Sequence, residues 1–92
     1  MNVKDELHQF TEKFSQRFQK AGVEYDITSY INGYIWHGET ALALEILAEQ
    51  LYEYGVTISA GELDTIFRLK GSLRTSDLNV WKHLEELVVQ QP

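Results

Sequence analysis

Residues 38–59 read GETALALEILAEQLYEYGVTIS and hold the strongest helical pattern in the chain. This pattern predicts a helix from about Glu39 to Tyr54, because a glycine directly after the last periodic residue is typical of a helix C-cap. Apolar residues recur along it at intervals of three or four, which is the period of one helix face. The main apolar face consists of Thr40, Leu44, Leu47, Leu51 and Tyr54.

The opposite side of this predicted helix carries Glu45, Glu49 and Glu53, spaced four residues apart, and no cation in the helix can pair with them. Leu42 and Ile46 project among these glutamates. Either the helix is central and buries both of its sides, or the two residues form an apolar anchor ringed by charge. We favour burial, because a five-helix domain of this size needs one helix in its middle.

The residues that precede this segment predict two further helices. Apolar residues spaced by three or four indicate a first helix that continues to Ala21 and ends at Gly22. Its stripe consists of Val3, Leu7, Phe10, Phe14, Phe18 and Ala21. A second, shorter helix is predicted to begin near Asp26, a residue that caps helices well. One face of it consists of Ile27, Tyr30, Ile31, Tyr34 and Ile35. Gly33 inside this helix costs on the order of 1 kcal/mol relative to alanine, so the helix is weak or the glycine lets a neighbour approach closely.

The residues that follow predict two more helices. Ser59 and Glu62 form a capping box that opens a fourth helix, which Gly71 closes. Its inward residues are predicted to be Leu63, Ile66 and Phe67. A last helix is predicted to start at Thr75 or Ser76. It carries Val80, Trp81, Leu84, Leu87 and Val88 on one arc. Short linkers favour antiparallel neighbours, so we predict an all-α fold, a compact bundle of four to five helices that forms a single domain over residues 1–92.

Composition narrows the class of protein. The chain has 92 residues, of which 43% are apolar, and a net charge of −6. Cysteine is absent, which excludes disulfides and thiolate zinc sites. No segment approaches the ~18 apolar residues that cross a bilayer, and the N-terminus lacks the apolar core of a signal peptide, so we expect a cytoplasmic protein that does not bind membranes. Eight scattered cations argue against nucleic-acid binding, which depends on neutralising phosphates.

The sequence offers little that could support catalysis. His8, His37 and His83 do not stand at a metal-binding spacing, no serine or threonine lies on a nucleophile elbow, and the glycines do not form a phosphate loop. An acyl carrier protein is also disfavoured, because neither Ser72 nor Ser76 follows an aspartate. We therefore expect no catalytic residue, no bound metal, no cofactor and no enzyme activity.

A segment without lysine or arginine extends from residue 21 to residue 67 and holds eight of the fourteen acidic residues. All five tyrosines, Trp36 and His37 lie in the same segment. Charge segregated in this way attracts basic partners and repels phosphate, and tyrosine and tryptophan are enriched where proteins bind each other. The alternative is that the acids form a solvated face and the aromatic residues form the core.

Residues 38–59 resemble the central segment of MafI-type immunity proteins. The resemblance comprises an acidic residue near the helix start, then Ala-Leu-Glu-Ile-Leu, then Gln-Leu-Tyr-Glu, then a Val-x-Ile link to a capped helix. It covers about a quarter of the chain directly. It implies a small cytoplasmic protein that neutralises a cognate toxin of a polymorphic or contact-dependent growth inhibition system. The implied partner is the C-terminal toxin domain, commonly a basic nuclease, here expected to cut transfer RNA.

We expect the partner to contact a set of aromatic and acidic residues in the cation-free segment. The set consists of Tyr30, Tyr34, Trp36, Glu39, Glu45, Glu49, Tyr52 and Glu53. Trp36 is either an exposed anchor or a plug folded back into the core. We expect the free protein to be a monomer. The alternative function is a helical adaptor or regulatory subunit of a cytoplasmic complex, which would engage a partner helix through the apolar stripe of the first helix.

Overall fold

The computed structural model describes residues 1–89, so residues 90–92 of the predicted domain lie outside the described residues. Within residues 1–89 the chain forms five α-helices and two 3-10 helices. They are α1 (Val3–Glu12), α2 (Ser15–Lys20), α3 (Ile27–Trp36), α4 (Thr40–Glu53), α5 (Ala60–Ser72), η1 (Asn79–Lys82) and η2 (Leu84–Leu87). The predicted all-α bundle is confirmed. Each helix in this range is too short or too polar to span a bilayer.

Helix α4 occupies the centre of the bundle, as predicted, and packs against α1, α3, α5 and both 3-10 helices. Its buried residues are Ala43, Leu44, Leu47, Ala48 and Leu51. The second side is buried only in part, because Ile46 packs against the core while Leu42 remains 39% exposed. The prediction that α4 buries both sides is therefore wrong for Leu42.

Local capping signals in the sequence are confirmed at several helix ends. The Asp26 carboxylate accepts a hydrogen bond from the N–H of Ser29, and Ser59 and Glu62 form the reciprocal capping box. Three glycines with positive φ, Gly22, Gly38 and Gly55, follow α2, α3 and α4. In each case the next N–H donates to the carbonyl five residues back, which is the Schellman arrangement that glycine permits.

The first predicted helix is interrupted. The N–H groups of Lys13 and Phe14 donate to carbonyls three residues back, which tightens the turn between α1 and α2. The large members of the predicted stripe, from Leu7 to Phe18, are all buried, whereas Ala21 is exposed. The rings of Phe10 and Phe14 meet edge to face at 5.1 Å across the interruption. The apolar stripe was therefore predicted correctly, but the continuous helix was not.

Two predictions for α5 are wrong. The helix continues through Gly71 to Ser72, and Leu73 after it is extended. Phe67 is 41% exposed, whereas Leu69 is fully buried. The inward arc follows Ile66 and Leu69, which are three residues apart, and this spacing rotates Phe67 toward solvent.

The last predicted helix is replaced by η1 and η2. The Nε1–H group of Trp81 donates to the carbonyl of Ser76 at 2.9 Å, and Trp81 and Leu84 are buried. Val88 forms an isolated parallel bridge with Ile58, in which the Ile58 N–H donates to Leu87 O at 3.0 Å. Pairing with Ile58 requires an extended backbone at Val88, so an α-helix cannot continue through it.

A bidentate ion pair connects α2 to the first turn of α5. The Arg17 guanidinium donates to both carboxylate oxygens of Glu62 at 2.7 and 2.8 Å and also to the carbonyl of Thr57. Its guanidinium also lies 4.8 Å from the Phe14 ring centroid. The Arg17 hydrogen bonds hold the pKa of Glu62 below its usual value. Glu62 thus caps α5 and pairs with α2 at the same time.

Replacing Arg17 with methionine should therefore lower the free energy of unfolding by about 1 to 2 kcal/mol at neutral pH. This is the usual contribution of a hydrogen bond between charged groups, reduced because the arginine is partly exposed to solvent. Because the pKa of Glu62 is lower in the folded protein than in the unfolded chain, the ion pair stabilises the fold fully at pH values above about 4.3, the usual pKa of a glutamate. This stabilisation is lost as the pH falls through the pKa of the folded state. The difference between wild type and variant should thus shrink below about pH 4. Urea denaturation from neutral to acidic pH measures it.

Arg68→Met is the matched control, because Arg68 pairs with Glu6 at a more exposed position. Its loss of stability should be the smaller of the two. If the difference in the free energy of unfolding between wild type and Arg17→Met stayed constant down to pH 3, this result would contradict the role given to Glu62.

Candidate functional site

The residues predicted to contact a partner fall into two groups on α3 and α4. Tyr30, Tyr34 and Glu39 lie where α3 turns into α4 and line one open groove. Glu49, Tyr52 and Glu53 lie near the end of α4 and line another. Thirteen residues separate Glu39 from Tyr52, which corresponds to roughly 20 Å along a helix axis. The set predicted from sequence is therefore not one patch.

The first of these, which we call the aromatic groove, has a volume of about 310 Å³ and is lined by Tyr30, Gly33, Tyr34, His37 and Glu39. Tyr30 was predicted to share one helix face with Ile27, Ile31 and Ile35, but it is 51% exposed while the three isoleucines are buried. The two tyrosine rings meet edge to face at 5.3 Å, and their hydroxyl oxygens are 3.1 Å apart. This hydrogen bond raises the pKa of Tyr34 above its usual value.

The turn after α3 places His37 and Glu39 beside the tyrosines. Gly38 adopts a φ of 81°, and the Glu39 N–H donates to the carbonyl of Tyr34 at 2.8 Å. The His37 Nδ1 atom lies 2.7 Å from the carbonyl of Gly33. Because a carbonyl oxygen can only accept, Nδ1 carries the proton, and Nε2 of a neutral ring keeps its lone pair. Sequence reasoning missed Gly33, His37 and Gly38, although a glycine after an apolar helix is a usable signal for such a turn.

The second site, which we call the acidic groove, has a volume of about 340 Å³ and combines α4 with the C-terminal segment. It is lined by Glu49, Tyr52, Glu53, Leu78, Asn79, Val80 and His83. The Tyr52 hydroxyl donates to Glu86 at 3.3 Å, and the other oxygen of Glu86 lies 2.7 Å from Nδ1 of His83. The negative charge of Glu86 raises the pKa of Tyr52. Sequence reasoning missed His83 and Glu86, because only the tertiary fold brings them to Tyr52.

Glu45 differs from the other glutamates of its row. Its side chain is partly buried and accepts a hydrogen bond from the backbone N–H of Ser76 at 2.7 Å. It therefore holds the segment before η1 against α4. Glu49 and Glu53 remain exposed. The predicted row of three equivalent exposed glutamates is reduced to two.

Of the two alternatives for Trp36, the plug in the core is wrong, because the residue is exposed. It is 52% exposed and lies against α1, where the Lys4 ammonium is 5.0 Å from its ring and the His8 ring is 5.1 Å away. It does not line the aromatic groove.

The aromatic groove presents mainly the apolar faces of its aromatic residues with few polar atoms, whereas the acidic groove presents polar and apolar surface in about equal parts. Carboxylates, phenol oxygens and an imidazole lone pair suit a cationic partner group and disfavour an anion. Within residues 1–89, no three His, Cys, Asp or Glu side chains are grouped so that they could hold a metal ion. No protein-family model, curated protein or solved structure matches this chain.

Truncation of the two tryptophans should have unequal effects on stability. Trp36→Ala should lower the free energy of unfolding by about 1 to 2 kcal/mol, because half of the ring and one exposed cation–π contact are lost. Trp81→Ala should cost about 3 to 5 kcal/mol, the range for a buried aromatic residue. Urea denaturation of both variants measures the difference. Equal losses would contradict the exposed position of Trp36.

Proposed function

We propose that this chain is an immunity protein that binds and neutralises a cognate toxin of a polymorphic or contact-dependent growth inhibition system. The toxin domain is a basic nuclease that acts on transfer RNA, and the complex forms in the cytoplasm. The chain itself contributes no catalysis and binds neither nucleic acid nor membrane. The resemblance of residues 38–59 to MafI-type immunity proteins supports this proposal, and so does the surface chemistry of the same region.

The observation that carries the proposal is the unneutralised acidic and aromatic surface of α3 and α4. Glu39, Glu49 and Glu53 are exposed, and Tyr30 and Tyr52 present their rings beside them. None of these glutamates forms an ion pair among the described residues. Exposed carboxylates next to tyrosines are the elements of a surface that attracts and then fits a basic protein.

A nuclease is a suitable partner on electrostatic grounds. Its active site is built to hold phosphates, so it presents positive charge that an acidic protein can cover or flank. Attraction between opposite surfaces raises the association rate, and aromatic anchors then supply specificity. This division of roles matches the chain, in which α3 carries aromatic residues and no acid, and α4 carries three glutamates with one tyrosine.

The adaptor function loses its main support. It relied on the apolar stripe of the first helix as a surface for a partner helix. Leu7, Phe10, Phe14 and Phe18 are instead buried in the chain's own core. An adaptor would have to bind through another surface.

The proposed function predicts protection from a toxin encoded beside it. The basic C-terminal domain of an exoprotein encoded by an adjacent gene should arrest growth when it is expressed alone in a bacterial host. Co-expression of this chain should restore growth, and the purified chain should stop cleavage of transfer RNA in vitro. If no candidate domain is toxic, or if the folded chain protects from none, the proposed function is rejected.

The acidic surface should control how fast the complex forms. The triple variant Glu39→Lys, Glu49→Lys and Glu53→Lys should lower the association rate roughly tenfold or more at low salt, because electrostatic steering contributes factors of this size. At high ionic strength, the wild-type rate should fall toward the variant's. Stopped-flow fluorescence measures both rates, and circular dichroism checks that the variant is folded.

The control is the variant Glu24→Lys, Asp64→Lys and Asp77→Lys. These three acids are also exposed and line neither groove. Their replacement by lysine changes the wild-type net charge of −6 by the same amount as the groove variant does. The control should retain a faster association than the groove variant. Equal rates for the two triple variants would show that only the net charge matters and would reject the surface.

A further inference from the structure

The fold does not need the glycine at position 33. Gly33 lies inside α3 and does not have a positive φ, and a Cβ atom placed on it would meet nothing within 4 Å. Glycine in a helix interior is destabilising by roughly 0.5 to 1 kcal/mol relative to alanine. No close approach of another helix explains it either. The earlier expectation that this glycine lets a neighbouring element pack closely is therefore wrong.

What the glycine does provide is an open floor for the aromatic groove. Tyr30 stands one turn before Gly33, Tyr34 follows it and His37 stands one turn after it, and all four line the groove, so a side chain at position 33 would occupy part of the groove. The free space beside Gly33 is thus part of the groove and not a packing defect inside the core.

The groups around this floor share one chemical preference. The Glu39 carboxylate is an acceptor, the His37 ring directs Nδ1 at the carbonyl of Gly33, and the tyrosines offer aromatic faces and phenol oxygens. The groove also follows the last turn of α3, where the helix dipole favours positive charge. No lysine or arginine of the chain lines it.

We propose that the aromatic groove holds an arginine side chain of the protein partner, with its guanidinium plane against Tyr30 or Tyr34 and its N–H groups directed at Glu39. This inference rests on the proposed function for the identity of the partner. Guanidinium is planar, stacks on aromatic rings and donates two parallel hydrogen bonds to a carboxylate, all of which this lining can use. A lysine could also lie over a ring, but it lacks the planar fork that donates two parallel hydrogen bonds to a carboxylate.

The acidic groove is the weaker place for such an anchor. The hydroxyl of Tyr52 already donates to Glu86, and Glu86 is already paired with His83. In the aromatic groove the two phenols bond only to each other among the described residues, and the Glu39 carboxylate has no partner there. Glu49 and Glu53 of the acidic groove are unpaired as well, but only the aromatic groove combines an unpaired carboxylate with two tyrosine rings that no other described residue engages.

The test fills the groove without disturbing the charge. Gly33→Leu should weaken binding of the toxin domain by roughly tenfold or more, the scale of a lost anchor. Gly71→Leu is the matched control, because Gly71 is also helical, lacks a positive φ and has open space around it, but lies on α5 away from the groove. Gly33→Ala should stay folded with a raised melting temperature. Isothermal titration calorimetry measures binding, and circular dichroism measures folding.

Unchanged binding by a folded Gly33→Leu would overturn the inference, and so would equal losses for Gly33→Leu and Gly71→Leu. If Gly33→Leu does not fold, binding by Gly33→Gln decides in the same way. In these outcomes wild-type protection from the toxin would still stand, so failure of the groove and failure of the proposed function can be distinguished.

A second measurement does not depend on the toxin. Methylguanidinium titrated into the isotope-labelled chain should shift the amide signal of Gly33 and the ring signals of Tyr30 and Tyr34 in a saturable way. When the Gly33→Leu variant is titrated in the same way, the ring signals of Tyr30 and Tyr34 should not shift. Equal saturable shifts with methylammonium would overturn the choice of arginine, and shifts spread evenly over all exposed acids would overturn the groove as a site.

Discussion

Burial of α4 is the constraint on which the rest of the structure depends. A chain of 92 residues has only a modest core, so its central helix has to contact several neighbours at once. Leu44, Leu47 and Leu51 are fully buried, and each contributes roughly 1.5 to 3 kcal/mol by leaving water. Ala43 and Ala48 are buried as well, and their small side chains let the surrounding helices approach. What remains outside is a strip of glutamates with Tyr52.

The position of the aromatic groove follows from the same packing. Helix α3 directs Ile27, Ile31 and Ile35 inward against α1 and α4. Successive residues are separated by about 100° around a helix, so Thr28 and Asn32, which directly follow Ile27 and Ile31, are buried with them, while Ser29, Tyr30 and Trp36 face outward. One outward side becomes the groove, and the other places Trp36 against α1. The groove is thus a consequence of how α3 enters the core, and the Schellman turn at Gly38 then fixes Glu39 beside it.

Sequence reasoning succeeded where the determining contacts are local. Asp26, the box of Ser59 with Glu62, and the glycines after α2 and α4 act within one helical turn, so their effects can be predicted from neighbouring residues. It failed in the C-terminal segment, where the pairing of Ile58 with Val88 prevents a helix that the apolar spacing alone would allow.

The candidate site divides in the same way. That the acidic and aromatic residues lie on α3 and α4 was predictable, and most of them are exposed. The bond from Ser76 to Glu45 and the contact of Trp36 with Lys4 join residues more than thirty positions apart. The periodicity within one helix does not reveal contacts between distant segments, so the residues that line the two grooves could not be predicted from the sequence.

The distribution of charge in the folded chain favours a role for the acids outside the fold. Three of the cations engage other residues of the chain: Arg17 binds Glu62, Arg68 binds Glu6, and Lys70 lies 5.5 Å from the ring of Trp81. Glu49 and Glu53 gain no such partner within residues 1–89. Like charges one helical turn apart repel each other and destabilise the helix by a few tenths of a kcal/mol. A surface that costs stability and adds no internal contact is more easily explained by what it attracts than by what it supports.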